Sequence, residues 1–241
     1  MTKARTLVPS WLREGVVIVA SILLAFGIDA QWELSRERAD AEVLLELLVS
    51  DFATTVAEAE RVLANHAGGL SAAQELISMA EEETLTPADA SRVDRHLSVM
   101  MVSGASFDPP LGTVRSLIQS GRLSQIADPA LTAMLTAWPS EVEDKKQQEA
   151  NLDGGFQQLG EAISAIGARV DWFIATDHVG ATIGPLPWKS HTTETWQRLG
   201  DPKMRMGLAN YWLGMRFTVK SAEQRLERSK EILRALETAQ H

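Results

Sequence analysis

The stretch EGVVIVASILLAFGIDAQWE, residues 14–33, limits what this chain can fold into more than any other part of the sequence. Its uninterrupted apolar run covers residues 15–28 and is bounded by two acidic residues, Glu14 and Asp29. As a helix that run is about 21 Å long, shorter than a bilayer's hydrocarbon core of about 30 Å. It is compatible with a membrane span, a cleaved signal peptide or a buried core helix.

Two tryptophans that flank the run favour the membrane span. Trp11 and Trp32 are separated by about 31 Å along a helix, and tryptophan is enriched at both membrane interfaces. Arg13 can extend its long side chain outward, while Glu14 and Asp29 would lie near the headgroups. The sequence therefore predicts a single transmembrane helix over residues 11–32, with Trp11 and Trp32 as interface anchors.

Two other interpretations stay open. A signal peptide also has a basic start and a short apolar run, and AFG at residues 25–27 resembles a small-residue cleavage site. Removal of the first 27 residues would release an exported, soluble ligand-binding helical domain. A buried core helix is the third interpretation, although an apolar run without a polar face is unusual in a small domain.

Basic residues are distributed unevenly around the apolar run. Three precede it and two follow it at a greater distance, namely Lys3, Arg5 and Arg13, then Arg36 and Arg38. Because cytoplasmic flanks carry the excess of Lys and Arg, we expect the amino terminus to be inside. Residues 1–10 are then a cytoplasmic tail, and residues 33–241 an extracytoplasmic helical domain.

Apolar spacing predicts helices throughout the rest of the chain. Residues 28–67 contain no Gly and no Pro, and apolar side chains recur there every three or four positions. This predicts that the membrane helix continues to AGG at residues 67–69, where it ends, and that a separate short helix follows over residues 70–82. A final long helix begins at Pro202, and we expect the two long helices to pack antiparallel or against their counterparts in another subunit.

Local signals mark the ends of the shorter helices. Thr86 and Asp128 each precede a proline and are expected to cap a helix, and Gly121 is expected to end one. Pro139 should bend or break its helix. No strand alternation is visible, so the sequence predicts an all-α fold: an N-terminal transmembrane helix that continues into a long helix, packed in an extramembrane helical bundle.

The membrane stretch also resembles a known family. Glu14, the apolar run, and then Ile28, Asp29, Ala30 and Trp32 ahead of a long helix are similar to the N-terminal hallmark of a bacterial membrane-protein family whose domain has no assigned function. SLIQSGRLSQIADPALTAML, residues 116–135, is similar to a central segment of that family. The resemblance extends over the chain up to Trp138. It implies a single-pass helical membrane protein and no activity.

Asp29 is the sharpest candidate for a functional group. Ser21, Ala25 and Asp29 are spaced i, i+4 and i+8, so small residues and a carboxylate share one helix side. Small residues let membrane helices approach closely, and a carboxylate at that depth needs a partner or water. In a homo-oligomer Asp29 would form an acidic ring at a pore mouth or a proton-accepting site; otherwise Asp29 faces water beside Trp32. Glu14 either pairs with a neighbouring chain or is solvated.

Composition narrows the class of function. The net charge of −9 argues against nonspecific nucleic-acid binding, and the absence of Cys excludes disulfides and thiolate metal sites. No catalytic motif or metal-binding histidine spacing occurs, so we expect no enzyme activity, cofactor or metal. A ligand site in the loop with Asp177, His178 and His191 is conceivable, but a plain surface loop is simpler.

The sequence therefore predicts a non-catalytic membrane protein that acts in self-assembly or as an accessory subunit. Its expected partners are the bilayer and either further copies of the chain or other membrane-protein subunits. The alternatives are an oligomeric assembly that conducts ions or protons through Asp29, and the exported ligand-binding domain.

Overall fold

The computed structural model describes residues 10–82, 84–126, 128–150, 152–168 and 193–240. Every regular element in these ranges is a helix, which confirms the all-α prediction. The helices are α1 (Ser10–Met79), α2 (Pro87–Val102), α3 (Gly112–Ser120), α4 (Leu123–Ile126), α5 (Pro129–Ala150), α6 (Leu152–Ala165), α7 (Thr193–Trp196) and α8 (Pro202–Ala239), with a 3₁₀ turn, Gln197–Gly200, between the last two. In α1, the described side chains begin at Val19.

The two long helices, α1 and α8, pack against each other and form the spine of the bundle. Lys230 Nζ on α8 lies 3.0 Å from Glu60 Oε1 on α1. Further along α1, Gly69 lies against Tyr211 of α8. Because residue numbers rise along one helix as they fall along the other, the helices are antiparallel. This confirms the predicted pairing within one chain.

Helix α1 does not end at residues 67–69, and the predicted separate helix over 70–82 is wrong, because α1 is continuous to Met79. Gly68 and Gly69 lie within the helix and do not end it, and Gly69 permits close packing. A Cβ at Gly69 would lie 2.6 Å from Ser103 Cβ and 2.8 Å from the Tyr211 hydroxyl. Only a glycine lets α1 approach the end of α2 and the side of α8 this closely.

The bundle has two hydrophobic cores, one toward each end of the spine. The proximal core joins residues 45–62 of α1 to α3, α4, α5 and the last part of α8, around Phe52 and Trp138. The distal core joins residues 72–79 of α1 to α2, α6, α7 and the first part of α8, around Trp196 and Tyr211. Each short helix therefore contributes chiefly to one core, while both long helices contribute to both.

The predicted helix ends are confirmed where they depend on local chemistry. Thr86 forms a capping box with Asp89, in which each side chain binds the other residue's backbone N–H. Asp128 Oδ1 accepts hydrogen bonds from the N–H groups of Ala130 and Leu131 at 2.8 and 2.9 Å. Gly121 ends α3 with a positive φ of 69°, a conformation that glycine adopts without strain.

Of the predicted bend or break at Pro139, the break is absent, because α5 continues through the proline to Ala150. The proline removes one backbone hydrogen bond to the preceding turn. Leu131, Leu135, Trp138 and Val142 lie on one face of α5 and are all buried in the proximal core. Burial of that face on both sides of the proline holds the helix together.

Candidate membrane anchor and interaction surface

The most distinctive surface of the molecule is the part of α1 that precedes the bundle. In residues 19–32, which we call the apolar segment, seven large apolar side chains are 50–69% exposed: Val19, Ile22, Leu23, Leu24, Phe26, Ile28 and Trp32. Successive residues turn by about 100°, so Ile22, Leu23 and Leu24 alone point in three different directions. The apolar segment is thus exposed on all sides of the helix.

Among the helical residues whose side chains the structure describes, no stretch is both long enough and apolar enough to cross a bilayer. The predicted span over residues 11–32 is described only in part at the level of side chains. Its anchor Trp11, the flanking Glu14 and the apolar residues 15–18 belong to α1, but their side chains lie outside the described set.

The bundle begins a short distance after the apolar segment. Ala41 and Leu44 are half-buried, and Leu45 is the first fully buried side chain of α1. Just before them, Asp40 lies 3.8 Å from Arg122, which follows α3. Trp32 and Asp40 are separated by about 12 Å along the helix. The proximal core therefore lies close to the apolar segment.

The structure places the predicted site residues Ser21, Ala25 and Asp29 along one side of α1, all of them exposed. A spacing of four residues shifts each by about 40° around the helix, so they share a side and not a strict line. In the described part of the chain, no second helix covers that side. An acidic ring at Asp29 would need further copies of the chain.

A buried polar cluster that the sequence analysis missed lies where α1, α2 and α8 meet. The Tyr211 hydroxyl donates to the Met100 carbonyl at 3.0 Å and lies 2.8 Å from Ser103 Oγ. The Ser103 carbonyl lies 2.8 Å from His66 Nδ1. Burial raises the pKa of Tyr211 well above its ordinary value, so the phenol stays neutral. The cluster joins three helices and holds no ionised nucleophile.

A groove of about 230 Å³ lies between α5 and α8, beside Trp138. Two of its charged residues, Arg228 and Glu141, form an ion pair. Arg228 Nε and Nη2 donate to the two oxygens of Glu141 at 3.2 and 3.3 Å, and Arg228 Nη1 donates to Glu231 at 2.7 Å. These contacts join α5 to α8 at the groove.

Within the described ranges, no three His, Asp or Glu side chains lie close enough together to hold a metal ion. The loop residues Asp177, His178 and His191, named from the sequence as a conceivable ligand site, lie outside the described residues.

No protein-family model matches this chain, and no curated protein or solved structure is significantly similar to it. The family resemblance seen in the motifs of residues 14–33 and 116–135 therefore stays a prediction based on those motifs alone.

Proposed function

We propose that this protein is a non-catalytic, single-pass protein of a bacterial inner membrane. Residues 11–32 are its transmembrane anchor, residues 1–10 its cytoplasmic tail, and residues 33–241 a periplasmic helical domain. The domain acts through protein contacts, in self-assembly or as an accessory or scaffold subunit of a membrane complex. The observation that carries the proposal is the exposure of the apolar segment on all sides of α1.

Such a helix is matched to an apolar environment and not to water. A helix that is hydrophobic all round is found in the core of a large protein or in a membrane. Burying one Leu, Ile or Phe side chain contributes about 1.5–3 kcal/mol, and the apolar segment leaves seven large apolar side chains exposed. The bundle, in contrast, already fills both of its cores without any residue of this segment.

The boundary of the apolar segment supports the same proposal. Trp32 is suited to the membrane interface, and Asp29 and Glu33 beside it would reach the headgroups. Arg36 and Arg38 then follow in water, ahead of the bundle. The larger number of basic residues before the span supports a cytoplasmic amino terminus.

Two buried polar side chains, Asp94 and Tyr211, support a non-catalytic role, because they have structural partners. Asp94 accepts a hydrogen bond from Trp196 Nε1 at 3.0 Å inside the distal core, and this contact ties α2 to α7. Tyr211 joins α8 to the end of α2. These contacts stabilise the bundle.

The test is carbonate extraction of membranes from bacteria that express the full chain. Wild-type protein should stay in the membrane pellet. The double variant Leu23→Arg, Leu24→Arg should move to the soluble fraction, because each Arg near the centre of a span costs about 2.5–3.5 kcal/mol. Val43→Arg is the matched control on the same helix, exposed but outside the anchor, and should stay in the pellet.

Release of the wild-type chain by carbonate would contradict the proposal. The mass of the purified protein distinguishes the membrane anchor from the exported alternative. A chain that begins after residue 27 would identify the apolar run as a cleaved signal peptide.

A further inference from the structure

We draw no further inference here: the strongest candidate, the groove between α5 and α8 beside Trp138, carries nothing, because its Arg228 and Glu141 bind each other and nothing in the described part of the structure shows what would occupy it.

Discussion

Helix α1 contains two regions that differ in how their apolar residues are arranged. In the apolar segment, large apolar side chains point in all directions, and Leu23 is 65% exposed. From Ala41 onward the buried apolar side chains lie on one face, and Leu48 is completely buried. The two regions belong to one continuous helix, so helix formation itself does not distinguish them.

The difference teaches that the arrangement of apolar residues, and not their number, indicates which surroundings a helix is made for. A one-sided face is satisfied by neighbouring helices of the same chain. An all-round apolar surface needs apolar surroundings, which the described residues of this chain do not supply.

The largest expected effect comes from truncating one leucine in each region. Leu48→Ala should lower the free energy of unfolding of the bundle by about 3–5 kcal/mol, because it leaves a cavity in the proximal core. Leu23→Ala should leave it unchanged. The measurement is urea denaturation of the full chain in mild detergent, followed by tryptophan fluorescence. Equal losses for both variants would show that the apolar segment packs against the bundle after all.

Alanine substitutions at the adjacent glycines Gly68 and Gly69 should change the free energy of unfolding by smaller amounts and in opposite directions. Gly69→Ala should destabilise the bundle by about 1–3 kcal/mol, because its Cβ collides with Ser103 and Tyr211. A methyl group added at Gly68 would lie 3.9 Å from its nearest neighbour, Val99 Cγ1, so Gly68→Ala should stabilise by about 0.5–1 kcal/mol through helix propensity. The same denaturation experiment measures both. Stabilisation by both substitutions would rule out close packing at Gly69.

The smallest effect concerns the N-terminal cap of α2, a helix that lies in the bundle and far from the apolar segment. Thr86→Ala should destabilise the bundle by about 1 kcal/mol at pH 7 and leave membrane retention unchanged. Hydrogen bonds from the Thr86 hydroxyl and backbone N–H lower the pKa of Asp89. The stability that these hydrogen bonds contribute is therefore fully present above the ordinary carboxyl pKa of about 4. It is lost as the pH falls through the lower pKa of Asp89 in the folded protein.

Urea midpoints at several pH values test this dependence. The gap between wild type and Thr86→Ala should be widest at neutral pH and should narrow below pH 4. A gap that stays constant with pH would show that Asp89 does not take part in the cap.

The sequence predicts those parts of the fold that depend on neighbouring residues. Thr86, Asp128 and Gly121 act on backbone groups within three or four positions, so their roles are visible without a structure. At Gly69 the sequence wrongly predicts a helix end, and at Pro139 the predicted break is absent, because packing with distant elements overrides their local preferences. The contact between Asp94 and Trp196 joins residues far apart in the chain, and no local pattern announces it.

The candidate surface, too, could be predicted from the sequence only in part. The shared side of Ser21, Ala25 and Asp29 follows from helix periodicity and is present in the structure. The exposure of Val43 and Leu47 does not follow from the sequence, because their spacing resembles that of core positions until the neighbours of α1 are known. The sequence gives one indication of this exposure, because Val43, Leu44 and Leu47 cannot all lie on the same helix face as the buried residues.

The unbroken course of α1 also has a mechanical consequence. With 70 residues it is about 105 Å long, and it enters both cores without a hinge. The part of α1 beyond Trp32 is about 70 Å long, so in an anchored protein a change of about 10° in the tilt of the membrane helix would move its far end sideways by about 12 Å. A rotation of the helix about its own axis would turn the whole bundle by the same angle. Small changes in packing within the bilayer would thus become large movements at the distal core, far from the membrane.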